Sequence, residues 1–87
     1  MSDKQKQVEV NGNDYTLQKI PPREWVRLRE RTKDRMGRIN EENFISEILK
    51  HVVVDPPGLK MDDFEEYWEL EEVVQEAVSF LQGRREG

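Results

Sequence analysis

Near the middle of the chain three valines run into Asp-Pro-Pro-Gly, inside the segment HVVVDPPGLK from His51 to Lys60. No other stretch restricts the fold as strongly. Proline lacks the backbone N–H that a helix needs and its ring clashes with the preceding turn, and the residue before a proline is held extended. A helix arriving from the N-terminal side therefore ends with Val52 and Val53. Val54 and Asp55 are pushed to extended geometry, and Pro56, Pro57 and Gly58 turn the chain. The spacing predicts that Asp55, Pro56, Pro57 and Gly58 form a rigid structural corner and that the valines belong to the core.

The corner divides two helical regions. On its N-terminal side Asn40 is a good N-cap, followed by Glu41 and Glu42, whose charge suits the positive end of a helix dipole. Phe44, Ile45, Ile48, Leu49 and Val52 then repeat as one broad apolar face, which predicts a helix over 40–53. On the C-terminal side Phe64, Tyr67 and Trp68 begin a stripe that would next need an apolar residue at 71, where Glu71 stands; it resumes as Leu70, Val73, Val74, Ala77, Phe80 and Leu81. This change of phase predicts a short helix over 62–68, bent or broken before a longer one over 69–82, with Gly83 as its stop. Phe44, Ile48, Leu49, Val52, Val74, Ala77 and Leu81 are the expected core.

Upstream, QVEVNGNDYTLQ alternates apolar and polar residues about a turn-forming Asn-Gly, which predicts a β-hairpin over 7–18. Pro21 and Pro22 suit the first turn of a helix, and Trp25, Leu28, Thr32 and Met36 share one helical face, which predicts a helix over 21–36 stopped by Gly37. The expected architecture is a single mainly α (α+β) domain over 1–87. A short N-terminal β-hairpin precedes a small bundle of three to four helices, with a disordered tail over 1–6 and a frayed end over 83–87. Eighty-seven residues suffice for one small core and not for two.

Charge is unevenly spread about the net value of −5. Lys19 to Arg38 holds eight Lys/Arg against three Asp/Glu, and Asp62 to Glu76 holds eight Asp/Glu and no Lys/Arg. On the expected helices Arg23, Arg27 and Arg31 form a basic ridge, and Glu69, Glu72 and Glu76 an acidic one. These six are the candidate partner-binding residues, since surfaces of opposite charge on one small domain suit head-to-tail self-association, a homo-oligomer, or capture of a helical partner. The alternative is a small regulatory protein gripping nucleic acid through the basic first helix, with Arg29 and Arg35 adding phosphate contacts. Against it, the second helix would have to enter the major groove carrying Glu41, Glu42 and Glu47.

Little chemistry is encoded. The one histidine, His51, falls at a helix C-terminus, where a cation complements the dipole. There is no cysteine, no phosphate-cradling glycine loop and no EF-hand spacing among Asp62, Asp63, Glu65, Glu66 and Glu69. The expectation is a non-catalytic protein with no metal and no cofactor. No apolar run is long enough to span a membrane, and MSDKQKQ lacks a signal-peptide core, so an intracellular location is expected.

YTLQKIPPREWVRLRER, ENFISEILKHVVVDPPGLK and DDFEEYWELEEVVQEAVSFLQG, in that order, resemble phage tail assembly chaperones of the XkdN-like kind, from phages and prophages of Gram-positive bacteria. The likeness runs from about Tyr15 to Leu81 and contains no catalytic signature. It implies a small, mainly helical cytoplasmic protein of the bacterial host that binds the long helical tape measure protein before the tail tube polymerises, and that is absent from the mature virion. It also implies a longer form, made by ribosomal frameshifting in related systems, that brings in the tail tube protein; a chain longer than one ending at Gly87 is expected of such a family member.

Overall fold

In the computed structural model, which describes residues 4–83, strands β1 (Gln5–Val10) and β2 (Asn13–Gln18) lead into helix α1 (Pro22–Arg31). Helix α2 (Glu41–His51), strand β3 (Val53–Asp55), a single 3-10 turn (Met61–Asp63) and helix α3 (Tyr67–Gln82) follow. The three strands make one antiparallel sheet in the order β1-β2-β3. The expected bundle of three to four helices behind a hairpin is thus replaced by an α+β fold, in which three helices pack with a three-stranded sheet.

The hairpin forms for the reason its sequence suggests. Asn11 and Gly12 take φ of 55° and 79°, the left-handed pair that lets a two-residue turn follow the twist of its strands. Val8 pairs with Tyr15 and Val10 with Asn13. The hairpin also starts earlier than expected, because Gln5 and Lys6 already pair with Gln18 and Leu17, so 4–6 is no tail. Residues 1–3 and 84–87, which carry the rest of the expected tail and frayed end, lie outside the described residues.

The third strand is the main departure. Val53 and Asp55 pair with Leu17 and Thr16 across an irregularity in register, while the amide of Gln18 donates to the carbonyl of Val52 at 2.8 Å. The helix therefore ends two residues early, and the valine run supplies the second partner that β2 needs, satisfying backbone groups that a lone hairpin would leave open. Val53 is buried in the sheet instead of finishing α2. At Asp55 to Gly58 the strand ends with Asp55, a cis bond joins it to Pro56, and the chain turns at Pro57 and Gly58.

Helix α1 stops at Arg31, five residues before its expected end. Asp34 accounts for this, because its carboxylate accepts from the amides of Met36 and Arg38 and closes a side-chain turn that competes with helix. Met36 is consequently 75% exposed instead of completing the apolar stripe. Helix α2 begins as expected, with Asn40 accepting from the amide of Asn43 at 2.9 Å. The expected helix over 62–68 shrinks to the 3-10 turn, fixed by Asp63 accepting from the Lys60 amide at 2.9 Å. Phe64 is extended beyond it, and α3 runs unbroken from Tyr67.

Leu17, Leu28, Ile48, Val52, Val73 and Ala77 are wholly enclosed, and with Val10 of β1 and Val53 of β3 in the same cluster every strand and α-helix sends a buried side chain to the core. Of the expected core, Ile48, Leu49, Val52 and Ala77 are buried; Phe44, Val74 and Leu81 pack at its margin. Hairpin residues Val10, Tyr15 and Leu17 fill space that the helices alone would leave open.

Candidate protein-binding surface

The start of α3 is positioned by two contacts to the hairpin. Phe64, just before the helix, stacks on the Tyr15 ring at 6.0 Å and 12°. Glu69, in the first turn, is only 5% exposed and points at the hairpin loop. Its carboxylate accepts from the Asn11 side chain at 3.0 Å, from the Asn13 side chain at 2.8 Å and from the Tyr15 hydroxyl. The Tyr15 bond above all, with help from Asn11 and Asn13, holds the Glu69 carboxyl below its ordinary pKa despite burial. Burial, reinforced by the adjacent carboxylate, pushes the Tyr15 phenol above its own.

With Glu69, Leu70, Val73 and Ala77 committed inward, helical geometry turns Tyr67 and Trp68 out. They are 62% and 49% exposed. Tyr67 overhangs a groove of about 210 Å³ between α2 and α3, floored by Phe44, Ile45 and Val74 and edged by Glu41, Glu71 and Gln75. Glu65, Glu66 and Glu72 are exposed beside it in sequence. The result is an apolar floor and two aromatic rings within an acidic field. A larger cleft of about 440 Å³ lies between α2 and the segment 58–62, with Leu49, Leu59 and Met61 flanked by Glu42, Lys50, Lys60 and Asp62. Its rim carries both signs and selects no class of ligand by charge.

The six candidate residues are not gathered at one place. Glu69 is internal, which removes it from the acidic ridge. Glu76 is half-buried and faces Lys6 of β1 at 3.6 Å, and Glu72 alone of the three stays fully on the surface. In α1, Arg27 pairs with Glu24 at 3.5 Å. Arg31 donates through Nε and Nη2 to Oε1 of Glu47 on α2, at 3.1 and 2.8 Å. That hydrogen bond lowers the Glu47 pKa, with His51 Nε2 a further 3.1 Å neighbour of the same oxygen. Arg23 is exposed and enters no salt bridge among the described residues.

The basic ridge is therefore in part a set of internal ties. The spacing places Tyr67 and Trp68 in a short helix with Phe64 on one stripe, and Glu71 at the next position of that stripe is the sign in the sequence that they face outward. Among the described residues no three His, Cys, Asp or Glu side chains come together as a metal site, and no helix is long and apolar enough to cross a membrane. Comparison with protein-family models, characterised proteins and solved structures yields no match for this chain.

Proposed function

We propose that this chain is a non-catalytic protein-binding module that acts as a phage or prophage tail assembly chaperone, holding the tape measure protein, and with it the tail tube protein, during assembly in the host cytoplasm and leaving before the virion is complete. The observation that carries the binding role is the exposed Tyr67 ring over the acidic groove of α2 and α3, with the exposed Trp68 next to it in α3. Large aromatic side chains are costly to leave in water and are enriched where proteins bind one another. A groove between two helices accepts the apolar face of an amphipathic helix, the form a long tape measure protein would present. The client assignment rests on the resemblance of the three quoted segments.

The competing reading, nucleic-acid binding through α1, is weakened because Arg27 and Arg31 already hold carboxylates at 3.5 and 2.8 Å. Co-expression is the direct test. A tape measure protein that aggregates alone should stay soluble and co-purify with this chain, free of DNA, and Trp68→Ser together with Tyr67→Ser should abolish the rescue while leaving the fold intact. Sequence-selective DNA binding without rescue would overturn the assignment.

A further inference from the structure

Among the described residues five large apolar side chains stand exposed: Val26, Met36, Ile39, Tyr67 and Trp68. They fall into two groups of opposite electrostatic character. Val26, Met36 and Ile39 lie on α1 and the turn after it, within the segment that carries Arg23, Arg27, Arg29, Arg35 and Arg38. Tyr67 and Trp68 lie in the segment from Asp62 to Glu76, which holds no cation, and Tyr67 lines the groove edged by Glu41 and Glu71. Arg35 and Arg38 enter no salt bridge among the described residues, and neither do Glu71 and Glu72. Each surface thus presents apolar area together with charge that the fold itself does not neutralise.

We propose that the occupant of the acidic α2/α3 groove in the client-free protein is a second copy of this chain, which presents the basic, apolar edge formed by α1 and residues 33–39. Opposite charge sets the orientation, and burial of Val26 or Met36 against Tyr67 and Trp68 supplies the driving force. The two surfaces are different, so the contact is heterologous: a molecule that has docked its edge still offers its groove, and association continues past the dimer unless a ring closes. The net charge of −5 opposes the contact at long range, so it forms with rising protein concentration. This inference stands on the two surfaces and not on the identity of the client.

The test is sedimentation velocity across a concentration series, with the full chain and two charge-reversed variants. Arg35→Glu with Arg38→Glu removes the edge, and Glu71→Lys with Glu72→Lys removes the groove's field; all four positions are exposed, and circular dichroism checks that each variant is folded. The wild-type chain should gain mass with concentration beyond a dimer, and each variant alone should lose that gain. An equimolar mixture of the two variants should form a complex, because one retains the groove and the other the edge. Two results overturn the proposal: a wild-type chain that stays monomeric throughout, or one whose association survives both reversals. A monomeric chain that nonetheless binds a Lys/Arg-bearing amphipathic peptide, or captures its client in co-expression, would assign the groove to the client alone, so the two conclusions fail separately.

Discussion

Replacing Glu69 with alanine should be among the most damaging single changes to this protein, and the damage should be partly reversible by a second substitution. The Glu69 carboxylate is nearly enclosed and takes three hydrogen bonds from the hairpin. Hydrogen bonds to a charged group contribute about 1.5–3 kcal/mol, and a buried polar group left without a partner costs about 1–3 kcal/mol. Asn11 and Asn13 are exposed and regain water when the carboxylate is removed, so their loss is small. The Tyr15 side chain is 5% exposed and does not. Releasing the carboxylate from its own desolvation offsets part of the total, which leaves a destabilisation of about 2–4 kcal/mol. Urea unfolding at pH 7, followed by circular dichroism, measures it, with Glu72→Ala as the exposed control.

The second step is sharper. Once Glu69 is gone, Tyr15→Phe removes the orphaned hydroxyl, so the double variant should be about 1–2 kcal/mol more stable than Glu69→Ala alone, whereas Tyr15→Phe in the wild-type chain should destabilise. Additive effects of the two changes, or a Glu69→Ala midpoint equal to that of the control, would refute this account of how α3 is tied to the hairpin.

The same pair predicts stability at both ends of the pH scale. Because the folded Glu69 pKa lies below its ordinary 4.5, its contribution is complete above that value and is lost as pH falls through the folded pKa; Glu69→Gln should flatten this acid limb of a thermal-melt series. The Tyr15 pKa is raised above 10.0, so its contribution is complete below that value and fades as pH rises beyond it, an alkaline loss that Tyr15→Phe should diminish. Ile48→Ala, at a wholly enclosed position, should cost about 2–5 kcal/mol in urea unfolding, and a midpoint shift no larger than that of an exposed control would exclude Ile48 from the core. Asn40→Ala should cost about 1 kcal/mol through loss of the α2 cap, whereas Asn40→Gly should cost only a few tenths. Arg31→Ala should cost no more than about 1 kcal/mol, since Arg31 itself is exposed and its link to Glu47 only partly buried, and a larger loss would mean that this tie holds α1 in place.

Local chemistry determined the punctuation of this fold. The Asn11-Gly12 turn, the start of α1 at Pro22, the Asn40 cap, the corner at Asp55 to Gly58 and the Gly83 stop, at φ of 61°, each depend on residues within a few positions of one another. A chain carries that information wherever it goes. The early end of α1 was also written locally, in the reach of Asp34 to the amides of Met36 and Arg38, but the apolar spacing of Met36 masked it.

What the tertiary structure alone decided involves partners far apart in sequence. A run of valines before a proline can end a helix or extend as a strand, and Val53 to Asp55 became a strand because β2, some 37 residues earlier, offered an open edge at that place. Glu69 reads as one more acid on a charged helix until the hairpin brings Asn11, Asn13 and Tyr15 to it across 54 to 58 residues. Those three donors make burial of a carboxylate tolerable, and once it is buried the phase of α3 is set. Tyr67 and Trp68 then face water and become the surface on which function is proposed. Periodicity within one helix shows which residues share a face, but which face is covered depends on hydrogen bonds and packing supplied by the rest of the chain.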